Sequence, residues 1–288
     1  MGVRSRVAYS REQVAKGHPV ATVARTMRIS RQAIYRRPRP RTHPQSRKAP
    51  DELERAIVEV AQENPTDGYR MVAAMASRAL GRPVNRKRVL RVMRQHELIQ
   101  RRRREPRRSR PGYFRVSRPD ELWHLDLTSI WVAEHGWCYL MAAIDCCTRE
   151  VAGWSLDIRC RAEEAASLIE RASAVRGVVP GQLTLGTDNG SCFTARRTTE
   201  VMRSLGITHR RGGYRDPESQ AFIESWFGRL KRREVWLSEY ETIEDARLAI
   251  GDYVDRYHDR PHSMLVYRTP NEVAAAWREG HSVQSSAV

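Results

Sequence analysis

The chain has 288 residues, enough for about two domains, and its net charge of +17 with a pI near 10.4 makes a polyanion its natural partner. It contains no apolar run of 18 residues, and its N-terminus, "MGVRSRVAYSREQ", lacks the apolar centre of a signal peptide, so a cytoplasmic, nucleoid-associated protein with no membrane association is expected. The five cysteines are odd in number, lie only from Cys138 onward and show no CxxC spacing, which argues against a disulfide scaffold or a zinc site.

Charge is unevenly spread. Residues 1–120 carry 31 Lys+Arg against 10 Asp+Glu, whereas the remaining 168 carry 20 against 24. Basic arms track phosphates, while acidic centres hold metals or repel nucleic acid. Four segments are expected: an N-terminal helical segment and linker (1–48), a second helical domain (49–100), a basic linker (101–118) and an acidic core domain (119–288).

Residues 11–37 predict two short helices around a tight turn. Val20, Val23, Ala24 and Met27 recur at helical spacing, and Ser30 stands where an N-cap belongs, ahead of "RQAIYRR". In the helix-turn-helix reading Arg31, at the start of the second helix, meets DNA. A plain helical hairpin fits the same pattern. "RPRPRTHPQSRKAP" is too rich in proline and charge to pack and reads as a linker.

Residues 51–100 predict three helices: "DELERAIVEVAQEN", which breaks at Pro65, then "GYRMVAAMASRAL" and "NRKRVLRVMRQHEL". Asn85 is placed to cap the last, whose first turn carries Arg86, Lys87 and Arg88. Positive charge there opposes the helix dipole, which nearby phosphates would relieve. A solvated basic face is the alternative. Nine arginines then fall between residues 101 and 118, among them Arg101, Arg102, Arg103 and Arg104, a run that cannot form a core and suits a DNA backbone.

The acidic half opens with three strand-like segments, "ELWHLDLTSIWV", "GWCYLMAAIDCCT" and "REVAGWSLDI". A helix, "AEEAASLIERASAV", the strand "QLTLGT", a helix, "RTTEVMRSLG", the segment "ITHRRG" and a long helix from about Glu218 to Trp236 follow. A meander followed by alternating strands and helices implies an α/β fold, a mixed sheet covered on both faces. In "WHLDLT", Trp123, Leu125 and Leu127 share one side of the strand, and His124, Asp126 and Thr128 the other. An aspartate inside a central strand is costly unless its charge is compensated. Asp188 ends another strand in "TDNG", where an Asx turn is one explanation. Glu224 falls on the polar flank of the long helix, beside the stripe of Phe222, Ile223, Trp226, Phe227 and Leu230.

If that helix packs beside the two strands, three carboxylates converge. Such a cluster needs a divalent cation, and oxygen ligands without Cys or His select Mg²⁺ or Mn²⁺. Two ions about 4 Å apart would suit phosphoryl displacement. Lys231, two turns beyond Glu224 on the same face, could hold a phosphate nearby or be a solvated lysine. Asp145 reads as a turn residue, Glu218 as a helix-start acid, and His124 and His209 as packing or hydrogen-bonding residues. "RPH" at 260–262 is expected to brace the final helix.

Asp126, Asp188 and then Glu224 after 35 intervening residues resemble the D,D(35)E signature of the retroviral integrase and transposase superfamily. "TDNGSCF", "FIESWFGRLKRREVW", "YHDRPHSMLVYRTPNEV" and "GYRMV…VNRKRVLRVM" resemble, in order, the motifs of insertion-sequence transposases of family three, OrfB type. The resemblance spans nearly the whole chain. It implies a ribonuclease H-like core and Asp126, Asp188 and Glu224 as metal-binding catalytic residues. The implied reaction is cleavage by water followed by attack of the freed 3′-OH, without a covalent protein–DNA intermediate or ATP. It also implies a homo-oligomer on DNA and an OrfA-type partner. The chain departs from the pattern where "RDPESQAF" lacks the asparagine common before the glutamate, and where His258 replaces an asparagine. No cysteine precedes Cys138, so the zinc domain of retroviral integrases is not expected. A DNA-binding protein with an inactive core and a nuclease that does not join ends are the alternatives.

Overall fold

The computed structural model describes residues 3–36, 51–99, 116–212 and 220–285. The chain divides into two compact units, Met1–Asp51 and Glu52–Val288.

The first unit holds three helices, α1 (Val3–Ala15), α2 (Val20–Thr26) and α3 (Arg31–Tyr35). The expected pair corresponds to α2 and α3, and Ser30 caps α3 by accepting a hydrogen bond from Ala33 N. Sequence reasoning missed α1, which starts well before residue 11. Its mixed composition gives no clear apolar stripe, and Val14 is its contribution to the small cluster of Val23, Ala24 and Ile34.

The second unit opens with α4 (Glu52–Glu63), α5 (Tyr69–Ala79) and α6 (Arg86–Gln95). Their apolar stripes meet around Ile57, Val72, Ala76, Val89 and Met93, all buried. Asn85 caps α6, its side chain accepting from Lys87 N at 2.8 Å.

A five-stranded sheet follows, built from β1 (Leu122–Val132), β2 (Gly136–Asp145), β3 (Val151–Asp157), β4 (Thr184–Thr187) and β5 (Thr208–Arg211) in the order β3-β2-β1-β4-β5. β1, β2 and β3 form an antiparallel meander, while β4 and β5 run parallel to β1. The intervening helices α7 (Ala162–Arg176), α8 (Ser191–Thr194) and α9 (Arg196–Ser204) supply the parallel crossovers.

Side-chain alternation makes the sheet a two-sided core. Trp123, Leu125, Met141 and Ala143 pack with Leu168, Ile169, Ala172, Val201 and Met202 of α7 and α9. Ile130, Val132, Leu140, Ala142 and Ile144 pack on the opposite face against α10 (Ala221–Arg233) and α11 (Ile243–His258). At roughly 1.5–3 kcal/mol for each fully buried large apolar side chain, these two layers dominate the stability of the unit. Helix α7 lies directly on β3, since a Cβ at Gly153 would stand 2.8 Å from Ala172 Cβ. The architecture is the expected mixed sheet flanked by helices.

One boundary differs from expectation. The long helix ends at Arg233, three residues before Trp236, and Val235–Leu237 is a 3₁₀ turn. Glu234 leaves helical geometry at φ −132° and ψ −69°, and its carboxylate receives Arg256 at 3.0 Å and the Ser238 hydroxyl at 3.2 Å. Glu218 lies outside the described residues. Helix α11, unassigned in the sequence, begins with a capping box at Thr242 and Asp245, and α12 (Pro270–Ser285) follows it.

The three-helix bundle is tied to the sheet-bearing part of its unit. Asp67, buried between α4 and α5, accepts from both Arg233 and Arg260, and Asn64 accepts from Arg260 at 2.8 Å. Arg78 forks onto Glu272 at 2.6 and 2.7 Å, and the Arg86 guanidinium lies 5.1 Å from the Tyr267 ring centroid. Within "RPH", Arg260 reaches the bundle and His262 bonds Arg229. Among the described residues no helix is long and apolar enough to cross a membrane.

Candidate active site

Asp126 sits midway along β1, opposite Ala142 of β2. Its side chain shares the face of His124, whose ring stacks on Phe222 of α10 with centroids 5.5 Å apart and planes at 21°. The strand therefore presents Asp126 to the face that α10 covers. Only its own neighbour, Leu127 N, donates to the Asp126 carboxylate within the described structure, at 2.8 Å.

Asp188 stands one residue beyond β4. The parallel ladder pairs Leu122 with Thr184, Trp123 with Leu185 and His124 with Gly186. Continuing that register by two residues sets Asp188 level with Asp126. Its Oδ1 accepts from Gly190 N at 2.9 Å, so the Asx turn is real, and Asn189 Nδ2 donates to Gly212 O at 3.1 Å. The turn steers the chain into α8 and leaves the Asp188 side chain exposed at the sheet edge.

Glu224 is an exposed residue in the first turn of α10, a helix anchored by buried Ile223, Trp226, Phe227 and Leu230. Among the described residues no Lys, Arg or His forms an ion pair with Asp126, Asp188 or Glu224. Burial pushes the Asp126 carboxyl up to about 6; the Leu127 hydrogen bond opposes this, and the charges of Asp188 and Glu224 add to it. Asp126 thus feels the charges of the other two carboxylates, one at a strand end and one at a helix start. Among the described residues no three His, Cys, Asp or Glu close into a ready-made cation cluster. Like charges hold one another apart, and an all-oxygen donor set of this kind fits a hard divalent cation.

Behind the carboxylates lies a stack that sequence reasoning missed. The Arg149 guanidinium lies 3.4 Å from the centroid of the Phe222 ring, whose other neighbour is His124. Arg149 occupies a left-handed turn, φ +67°, and its carbonyl accepts from Tyr257 Oη at 2.8 Å. Burial, then Arg149 and Arg210, lower His124 to about 4, which keeps it neutral and consistent with a packing role. His209 bonds Thr187 Oγ1 at 2.8 Å. Asp145 is buried and accepts from Asp120, Cys147 and Thr148 backbone N–H groups at 2.7 Å each, the structural role expected of it. Nothing local in "CCTREV" signals Arg149's partner, which is 73 positions away.

The residues expected to meet DNA are dispersed. Arg31 is exposed at the start of α3 in the first unit. Arg86 and Lys87 are exposed at the start of α6, Arg88 is half-buried there, and Lys231 is half-buried on α10. Arg101, Arg102, Arg103 and Arg104 lie outside the described residues.

The chain is similar to several known proteins. Residues 116–217 and 205–270 match integrase core domains, and residues 48–106 match an HTH-like domain. The chain is 28% identical over 289 aligned positions to transposase InsD of insertion element IS2-9 from Escherichia coli (strain K12), covering 94% of each. It also resembles the catalytic core domain of BIV integrase, with 23% identity, 58% of this chain and 99% of that chain covered, and a TM-score of 0.43. The HTLV-2 integrase catalytic core domain in complex with magnesium gives 18% identity, 54% and 96% coverage, and a TM-score of 0.43. Integrase cores are metal-dependent. The chain thus carries an HTH-like domain followed by an integrase core domain, and along nearly its full length it is similar to insertion-element transposases.

Proposed function

We propose that the protein cleaves the ends of an insertion sequence and joins the freed 3′-OH to target DNA, with Asp126, Asp188 and Glu224 as the catalytic carboxylates. The observation that carries the assignment is Asp126 itself. It is an acid in mid-strand, level with Asp188 and facing the helix of Glu224, without a basic partner among the described residues, and its affinity for a proton is raised first by burial and then by those two acids. An inert core has no reason to hold a half-buried carboxylate within the field of two further acids.

A bound pair of Mg²⁺ or Mn²⁺ ions would supply activation of the attacking oxygen and stabilisation of the leaving one. The chain's own residues do the positioning. β1 and β4 hold Asp126 and Asp188 on rigid neighbouring strands, and α10 brings Glu224 across the sheet on a buried apolar stripe. Lys231 follows two turns later on Glu224's side of the helix and holds a DNA phosphate. Arg31, Arg86, Lys87 and Arg88 contact the element end, and Arg101, Arg102, Arg103 and Arg104 track the backbone. Since two ends must be joined, the active form is a homo-oligomer on DNA, assisted by an OrfA-type partner, in the bacterial cytoplasm and nucleoid.

The test is nicking and joining of end-containing DNA with Mg²⁺ or Mn²⁺ and with EDTA. Metal-dependent nicking followed by joined product supports the reading. Binding without nicking would leave a non-catalytic DNA-binding protein, and nicking without joining would leave a nuclease.

A further inference from the structure

Positive charge gathers in a cavity of about 640 Å³ between the three-helix bundle and α10. Five arginines line it, namely Arg70, Arg229, Arg232, Arg233 and Arg260, against a single acid, Asp67. Asp67 is already shared by Arg233 and Arg260. The excess is therefore about four positive charges in a partly enclosed space.

The arginines divide into two kinds. Arg233 and Arg260 are anchored to Asp67, with further bonds to Thr66 and Asn64. Arg229 bonds only His262 and Ser225 among the described residues, and neither neutralises it. Burial lowers its proton affinity, and so do the charges of Arg233 and Arg232. Arg70 and Arg232 are exposed at the rim, and no acid pairs with either among the described residues. Like charges gathered in a cavity repel unless an anion enters. A guanidinium fork suits phosphate oxygens. The cavity is polar and open, so a multiply charged, well-hydrated ligand fits it better than an apolar one.

Its position names the ligand. Helix α10 carries Glu224 in its first turn and Arg232 eight residues later, about 12 Å along the axis. That distance corresponds to three or four base steps of duplex at about 3.4 Å each. The opposite wall is Arg70, at the start of α5 in the bundle. We propose that this cavity is a docking site for backbone phosphates of the DNA segment between the stretch met by the bundle and the phosphate at the carboxylates. The DNA backbone thereby becomes the counter-ion that joins the two halves of the unit. The placement of that segment rests on the transposase reading of the carboxylates, whereas the charge argument does not.

The test is equilibrium DNA binding by the full chain in EDTA across a range of salt, which needs no catalysis. The Arg70→Gln/Arg232→Gln variant changes two rim residues that make no ion pair with an acid among the described residues. It is expected to bind an element-end duplex at least tenfold more weakly at low salt, with the slope of log K against log[salt] reduced by about 2. An unrelated duplex of equal length should lose the same factor, since phosphates carry no sequence. Arg70→Lys/Arg232→Lys keeps the charge and should keep the slope, which separates charge loss from misfolding. Inorganic tripolyphosphate should compete with DNA for the wild-type chain and do so less for the Gln variant. An unchanged slope in the Gln variant overturns the proposal. So does a loss confined to the element-end duplex, which would be base reading, or tripolyphosphate binding that DNA cannot displace, which would make the site one for a free polyanion. A slope change found alongside failed metal-dependent nicking would leave this site standing and remove the catalytic reading; the converse would do the opposite.

Discussion

His124 and Gly186 form the last pair of the parallel ladder between β1 and β4, and a Cβ at position 186 would lie 3.2 Å from His124 Cδ2. His124 cannot retreat easily, because Phe222 and then Arg149 are stacked behind it. Two residues beyond this pair come Asp126 and Asp188. Gly186→Ala is therefore expected to cost about 1 kcal/mol of stability from overpacking. It should also impair strand transfer by more than that loss of fold accounts for, because it shifts the two strands that carry the acids. Thermal melts beside joining assays check this, and unchanged joining would show that the ladder has slack.

Asp126→Asn, Asp188→Asn and Glu224→Gln each remove one charge and little volume. Each should lower nicking and joining together by at least about a hundredfold while leaving DNA affinity in EDTA within about twofold. Band-shift and cleavage assays on the same preparations decide it. Activity retained in any one variant removes that residue from the site.

Asp67 and Glu272 both link the three-helix bundle to the rest of its unit, yet their worth should differ. Asp67 is buried and serves two arginines, so Asp67→Ala leaves Arg233 and Arg260 facing each other uncompensated. Breaking a buried ion pair from one side costs about 3–5 kcal/mol. Glu272 and Arg78 remain about 40% exposed, and an exposed pair contributes at most about 1 kcal/mol. Urea unfolding of Asp67→Ala and Glu272→Gln should reproduce that order.

Two histidines make stability depend on pH. Burial, Arg149 and Arg210 hold His124 at about 4, and burial, Arg229, Arg149 and Arg233 hold His262 at about 3. Both lie below the unfolded value near 6.5, so the unfolded chain binds more protons between those limits. Their contribution is full above about pH 6.5 and is lost as pH falls toward 4. Each can add up to ~1.4 kcal/mol per pH unit to the slope. Urea midpoints for wild type and His262→Gln should converge as pH drops from 7 to 5, and parallel curves would refute the assignment.

The amino-acid sequence by itself determined the strands and most of the helices, and it singled out the three acids as candidates. Period-two alternation in "LWHLDLTSIWV" and the apolar stripe of "FIESWFGRL" are local properties, set by which face of a strand or helix meets the core. Asn85 and Ser30 announced their helices for the same reason, since a cap acts within three residues. Helix α1 stayed hidden because its mixed composition offers no apolar stripe. The tertiary structure alone decided that Asp188 stands level with Asp126, because register between β1 and β4 depends on pairing across some 60 residues. It alone placed Arg149 behind Phe222 and gathered the Arg70–Arg260 cavity from the bundle, α10 and the segment after α11. Such groupings bring like charges or distant rings together, and no local rule of propensity or spacing encodes a contact whose partners are held in place only by the packed core between them.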